Sequence, residues 1–181
     1  MPLVLASASP QRRAILTQVG IAFDSVVTGV TEETEGEPAA VAAENARRKA
    51  LAADGPLVLG ADTLVTVDGA ILGKPRDAAQ ARHYLALLAG REHTVVGAIA
   101  LAVAGVIVQE AVEQTAVRFR ALDGAALDAY VATGEWEGRA GGYAIQGRGA
   151  ALVAGIRGDY LNVVGLPLAR LLDLRPDLMP T

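Results

Sequence analysis

Leu3-Val4-Leu5-Ala6-Ser7-Ala8-Ser9-Pro10-Gln11-Arg12-Arg13 runs from an apolar tetrapeptide into two hydroxyls, a proline and two guanidiniums. The apolar run reads as a buried strand, and Pro10 to about Gln18 as a helix. Proline suits the first helical position, and a serine just before it can cap. The helix N-terminus then aims free N–H groups at an anion, and the arginines add permanently charged forks. The turn therefore suits a phosphate. It equally suits an ordinary capped helix with solvated arginines, and these residues alone do not separate the two.

Outward from this turn, Ile21 to Val30 reads as a β-branched strand and Thr31 to Pro38 as an acidic loop. A helix follows from Ala39 to about Ala53, then a short strand from Leu57 to Ala61 ending at Asp62. Thr63 to Val67 continues extended, and Asp68-Gly69 marks a hairpin returning along Ala70 to Leu72. A further helix runs from after Asp77 to Gly90. His93 to Arg120 reads as two long strands around Ala104-Gly105, and Asp123 to Thr133 as a helix. Gly134 to Gly149 carries six glycines, and its interleaved Trp136, Tyr143 and Ile145 favour an ordered, functional loop. Strands are expected near Ala151 to Ile156 and Tyr160 to Val164, with a closing helix from Pro167. This mixture of helices with parallel and antiparallel strands predicts an α/β fold around a curved mixed sheet.

At 181 residues the chain is expected to form one domain spanning 1–181. Its apolar content of 52% and positive mean hydropathy are inflated by Ala and Gly, and no stretch reads as a membrane span. No secretory signal is expected. With no cysteine there is no disulfide, thiolate metal site or thiol nucleophile, and a cytoplasmic location follows. The net charge of −4 argues against a protein that coats nucleic acid, yet leaves room for a local cluster of cations around a small polyanion.

Several residues have chemistry to offer. Asp62 ends a buried strand, where open α/β sheets place ligands, and can activate water, hold a hard cation or simply cap a turn. Val41, Asn45 and Lys49 share one helical stripe, beside Ala42, Ala46 and Ala50. Lys49 thus leans to the core side and needs an anionic partner. Glu44 and Arg48 form an outward i,i+4 pair, and Arg47 reads as surface charge. Gly73-Lys74-Pro75 is not a P-loop, because the glycine spacing is short and proline replaces the metal-binding hydroxyl. Lys74 is read as an ammonium on a rigid turn or as plain surface charge. Gln146 offers an acceptor and donors side by side, which suit a uracil or thymine edge or the loop's own backbone. His83 and His93 have no partner at metal spacing and read as structural or exposed. Ser7 and Ser9 lack a nucleophile-elbow context and read as phosphate donors.

Taken with Glu32, the helix Glu44-Asn45-Ala46-Arg47-Arg48-Lys49-Ala50, Gly60-Ala61-Asp62-Thr63, Gly73-Lys74-Pro75, Ala140-Gly141-Gly142-Tyr143-Ala144-Ile145-Gln146-Gly147 and Val164-Gly165-Leu166-Pro167, the opening motif resembles the Maf family of nucleoside triphosphate pyrophosphatases. The likeness covers nearly the whole chain and points to the subgroup acting on dTTP and UTP. It implies two lobes with a central cleft, a sheet flanked by helices as in the inosine triphosphatase-like fold, and Mg²⁺ or Mn²⁺ as cofactor.

By resemblance Asp62 is the general base, Glu32 a metal or water ligand beside it, and Lys49 and Lys74 part of the catalytic set. Ser7, Ser9, Arg12, Arg13, Thr63 and Gln146 contact the nucleotide, with Arg12, Thr63 and Gln146 linked to base choice. Glu33, Glu35 and Glu37 gain no such role. The partner implied is a small nucleotide, with a homodimer through the long strands left open. The alternatives are the same cleavage on another base such as methylated GTP, or a regulator of cell division acting by binding. The chain departs from the pattern in three places. Gln11 stands where the first arginine of Pro-Arg-Arg is usual, Arg139 where a lysine is common and Trp136 where a proline is common.

Overall fold

A computed structural model describes residues 2–179. It contains β1 (Leu3–Ala6), α1 (Pro10–Gln18), β2 (Phe23–Val26), α2 (Pro38–Leu51), β3 (Leu57–Val67), β4 (Ala70–Leu72) and α3 (Ala78–Leu88). The chain continues through β5 (Glu92–Val103), β6 (Val106–Phe119), α4 (Gly124–Val131), β7 (Val153–Arg157), α5 (Tyr160–Val164) and α6 (Leu168–Leu174). The seven strands make one mixed sheet, ordered β2-β1-β3-β5-β6-β7, with β4 paired to β3. Strand β1 is parallel to both β2 and β3, and the pairs from β3 through β5 and β6 to β7 are antiparallel.

The register around β3 makes the cleft. On one edge β5 accompanies β3 continuously from Val58 to Thr66. The other edge is shared: β1 covers Leu57 to Gly60, and β4 covers Val65 to Val67. Residues 61 to 64 lie in the gap between those two partners. Strand β1 ends at Ala6 opposite Gly60, and β4 ends at Leu72 opposite Val65, so the Ser7–Ser9 turn and the Gly73–Lys74 turn both leave the sheet beside Asp62.

Helix α2 can approach β3 because small residues face each other. Ala42, Ala46 and Ala50 are fully buried, and a Cβ on Gly60 would lie 2.1 Å from the Ala46 carbonyl oxygen. One apolar cluster gathers Leu5, Leu16, Leu59, Ile99 and Leu171, and another Val65, Leu85, Phe119, Tyr130 and Tyr143. The two hairpins close on two-residue turns with positive φ throughout, Asp68 (52°) with Gly69 (79°) and Ala104 (49°) with Gly105 (75°), as tight hairpins require. No helix among the described residues is long and apolar enough to cross a membrane.

Three expectations are corrected. Tyr160 to Val164 is a helix, not a strand: the Asp159 side chain accepts from the Leu161 N–H and Gly165 ends the turn at φ 141°. Its Val163-Val164 pair looks strand-like in isolation, but capping and the seating of Asn162 against the sheet prevail. Strand β2 is shorter than the expected Ile21 to Val30, since β1, its partner, ends at Ala6. The strand expected from Ala151 begins only at Val153, after a 3₁₀ turn over Arg148–Leu152.

Candidate active site

In the gap on β3 stands Asp62, buried, with each carboxylate oxygen accepting a hydrogen bond from a side chain of α2. Lys49 Nζ donates to Asp62 Oδ1 at 2.7 Å, to Glu32 Oε1 at 2.6 Å and to the Ala61 carbonyl at 3.3 Å. An ammonium has three N–H groups, and these contacts employ all of them. Lys49 is thus the clasp that brings a carboxylate from the acidic loop next to one from the sheet. Asn45, one turn earlier on α2, donates through Nδ2 to Asp62 Oδ2 at 3.0 Å and to the Glu33 carbonyl at 3.0 Å. Its Oδ1 accepts the Glu33 N–H at 2.7 Å. The stripe containing Val41, Asn45 and Lys49 therefore fastens both the strand and the acidic loop.

Glu32 is held below the ordinary carboxylate value. Partial burial would raise it, but the Lys49 hydrogen bond and the positive charges of Lys49, Lys74 and Arg12 outweigh that penalty. Two carboxylates on adjoining segments, Glu32 and Asp62, are a hard-oxygen donor set. Among the described residues no group of three or more His, Asp or Glu gathers as a self-sufficient cage. The pair suits a cation such as Mg²⁺ that takes one or two carboxylates and completes its shell with phosphate and water.

Opposite lies the turn that opens the chain. Pro10 is the first residue of α1, and Ser9 caps it, accepting the Arg12 N–H at 3.4 Å. The Arg12 side chain folds inward and is buried, donating from Nε to the Gly165 carbonyl at 2.8 Å. It also donates from Nη1 to Ser7 Oγ at 3.0 Å and from Nη2 to Thr63 Oγ1 at 3.0 Å. Thr63 in turn donates to the Gly165 carbonyl at 3.2 Å. Burial pulls the Arg12 value down against the raising influence of Asp62 and Glu32, and a guanidinium remains protonated all the same.

These groups line one cavity of about 710 Å³. Ser7, Ser9, Arg12, Glu32, Lys49, Asp62, Thr63, Lys74 and Gln146 all contribute to its wall. Arg13 is the one sequence-predicted residue outside it; its Nη1 donates to the Ala8 carbonyl at 3.2 Å. Lys74 and Gln146 are exposed at the rim. The Gly141 N–H donates to the Gly73 carbonyl at 3.1 Å, tying the glycine-rich loop to the Lys74 turn. Gly141 adopts φ 68°, and a Cβ there would lie 2.8 Å from Val65 Cγ1, so the loop's close approach needs a glycine.

Arg47 and Arg48 lie on the outer surface, paired with Glu110 and with Glu33 and Glu44. His83 is exposed, whereas His93 is buried and bonded through Nε2 to the Tyr143 hydroxyl at 2.8 Å. Sequence reasoning left three contributors out of the site. Asn45 shares the inner stripe of α2 with Val41 and Lys49, and that helical phase is the signal in the sequence that its amide meets buried partners. The Gly165 carbonyl has no side chain to betray it. Arg139 reaches the cavity wall with a buried Nε that has no hydrogen-bond partner.

A family model described as Maf-like protein matches residues 2–176. A dTTP/UTP pyrophosphatase of Pelotomaculum thermopropionicum is 47% identical over 179 residues, covering 95% of this chain and 94% of its own. Another protein of that name, from Moorella thermoacetica, is 48% identical over 179 residues, covering 95% and 92%. One from Pyrococcus furiosus is 43% identical over 180 residues, covering 95% and 93%. Among solved structures, a nucleoside-triphosphatase (dITP/XTP pyrophosphatase) from Mycobacterium abscessus superposes with TM-score 0.52 at 20% identity over 99% of each chain, a likeness of fold. With a family match over nearly its full length and relatives this similar, the chain belongs to the Maf family.

Proposed function

We propose that this chain is a nucleoside triphosphate pyrophosphatase that hydrolyses dTTP and UTP between the α and β phosphates, giving the monophosphate and pyrophosphate. The observation that carries the reading is the meeting of Asp62, Glu32 and Lys49 with the Ser7–Arg12 turn and Lys74 around one cleft. Relatives sharing nearly half its residues bear the name dTTP/UTP pyrophosphatase.

In this mechanism the triphosphate lies between the α1 N-terminus and Lys74. Ser7, Ser9 and the exposed N–H groups of the turn bind its oxygens, and Lys74 counters the charge that grows on the leaving pyrophosphate. Asp62 keeps lone pairs beyond those given to Lys49 and Asn45. It orients the attacking water and takes its proton as the phosphorus–oxygen bridge breaks. Lys49 and Asn45 fix that carboxylate in one orientation. Glu32 and Asp62 would hold Mg²⁺ or Mn²⁺ together with the substrate's phosphates, which supplies charge neutralisation at the leaving group. Gln146 pairs with the base edge, and Arg12 with Thr63 shapes the floor beneath it.

The whole chain serves as one domain in this reading, with a free nucleotide rather than nucleic acid as its partner and the cytoplasm as its place. A homodimer through the long strands from His93 to Arg120 would show in sedimentation as twice the chain mass. Incubating the purified protein with dTTP and Mn²⁺ tests the reaction: pyrophosphate and dTMP are expected, and release of inorganic phosphate overturns the assigned cleavage position.

A further inference from the structure

Gln146 sits on a four-residue turn, Ala144 to Gly147, closed by the Gly147 N–H donating to the Ala144 carbonyl at 3.1 Å. What holds this turn is a single carboxylate that does not line the cavity. Glu135 Oε1 accepts the Arg148 N–H at 2.8 Å, and Oε2 accepts the Gly149 N–H at 2.8 Å. Oε2 also accepts the Tyr130 hydroxyl at 2.9 Å, and the same hydroxyl oxygen accepts the Ala144 N–H at 3.1 Å. The backbone is therefore pinned on both sides of Gln146, directly after it and through Tyr130 before it. The fit is close: a Cβ on Gly147 would lie 2.0 Å from Glu135 Oε1, and one on Gly149 would lie 2.5 Å from the Ala144 carbonyl oxygen.

A side chain that reads a base by paired hydrogen bonds discriminates only if its backbone is held to a fraction of an ångström. We infer that Glu135, with Tyr130 as its relay, is a positioning residue for base choice, holding the turn that presents Gln146 to the nucleotide. This inference rests on the reading of Gln146 as the base contact. It makes Glu135 a residue that touches no substrate yet sets the preference for pyrimidines. A glutamine there offers one acceptor oxygen where two are used, and turns an NH₂ group against a backbone donor.

The experiment compares kcat and KM for dTTP and dGTP in wild type, Glu135→Gln, Tyr130→Phe, Gln146→Ala and the double variant Glu135→Gln/Gln146→Ala. Glu135→Gln and Tyr130→Phe are each expected to raise KM for dTTP about tenfold and to lower the dTTP:dGTP ratio of kcat/KM about tenfold, with kcat changed less than about threefold. The double variant is expected to lose no more of that ratio than Gln146→Ala alone, because the clamp acts through Gln146. A structural role elsewhere would lower both substrates alike and would add to Gln146→Ala. If Gln146→Ala collapses the ratio while Glu135→Gln and Tyr130→Phe preserve it, the inference is overturned and the base contact stands. If Gln146→Ala itself leaves the ratio unchanged, the base contact falls and the inference with it. Tyr130→Phe removes one hydroxyl and keeps the test decisive should Glu135→Gln fail to fold.

Discussion

Lys49 Nζ lies 2.7 Å from Asp62 Oδ1, and both side chains are withdrawn from solvent. The pair joins α2 to the stretch of β3 whose second edge has no strand partner. Its energetic meaning follows from its surroundings: a lone buried charge is costly, whereas this ammonium meets two carboxylates and a carbonyl.

Removing the ammonium should therefore harm the fold as well as the reaction. Lys49→Met leaves Asp62 with Asn45 as its remaining donor and separates Glu32 from it. A loss of about 3–5 kcal/mol is expected, the range for breaking one side of a buried pair. Asp62→Asn keeps the shape and leaves Lys49 with Glu32, but it turns an NH₂ group against a donor, Lys49 Nζ or Asn45 Nδ2, and should cost about 1–3 kcal/mol of stability. Its larger effect should fall on turnover, by about 10²–10⁴ for a lost general base. Urea unfolding set beside steady-state rates checks both, and a Lys49→Met protein as stable as wild type contradicts the account. An Asp62→Asn variant that loses turnover yet keeps an effect on cell division would favour the regulator alternative.

The arginine in the opening turn is a fork, not merely a charge. Its three nitrogens reach Gly165, Ser7 and Thr63, and a lysine's single terminus cannot span those directions. Arg12→Lys should cost about 1–3 kcal/mol, since acceptors once served by a charged donor go unserved in a buried place. KM for dTTP should rise with it, because Thr63 and the turn after α5 lose their common anchor. Thermal melting together with a dTTP titration measures this, and an unchanged KM would separate Arg12 from substrate binding.

Much of this was legible because it is local. The strand, capped turn and helix at Leu3 to Gln18 are encoded within a few residues of each other, as is the Asp68-Gly69 hairpin. The periodicity of α2 placed Lys49 on its inner face and implied a buried anion. What periodicity cannot supply is the identity of a distant partner. Arg12 meets the Gly165 carbonyl across 153 residues, a pairing set by how α5 packs and invisible in either segment. Tyr160–Val164 departs from its strand-like reading partly for the same reason, since Asn162 reaches Val95, Glu113 and Thr115 far along the chain, and partly through a local cap, Asp159 on the Leu161 N–H, that outweighs its β-branched residues. Arg13, expected to contact the nucleotide but not to choose the base, lies about 100° around α1 from Arg12 and donates to the Ala8 carbonyl instead.

A glycine decides how near α2 comes to the sheet. A Cβ on Gly60 would meet the Ala46 carbonyl oxygen at 2.1 Å and the Ala50 nitrogen at 2.5 Å, both backbone atoms within a helix that cannot yield separately. Gly60→Ala must push the whole helix outward, carrying Asn45 and Lys49 from Asp62. About 1–3 kcal/mol of destabilisation is expected from overpacking, and activity should fall more than stability alone explains. The check is kcat at a temperature where the variant is fully folded; a normal rate there would show that the Lys49–Asp62 contact tolerates the shift.

Acid should weaken the fold through His93 before it reaches the carboxylates. His93 is enclosed by Phe119 and Tyr143, with ring centroids 4.9 and 5.5 Å away, and burial lowers its value from 6.5 to about 4. Between those two values the unfolded chain binds a proton that the folded chain refuses, so stability is complete above about pH 6.5 and declines as pH falls toward 4. Going from pH 7 to pH 5 this amounts to about 2 kcal/mol. Glu32 has the opposite chemistry but the same sign: its lowered value means that its contribution, present above 4.5, is lost only at more acid pH. The interval from 6.5 to 4.5 therefore belongs to His93 in this comparison. Urea unfolding at pH 7 and pH 5 should show the decline in wild type and a flatter response in His93→Gln. Equal slopes in the two proteins would mean that the His93–Tyr143 contact opens to admit the proton, and that the wall of the cavity beside Gln146 is looser than its packing implies.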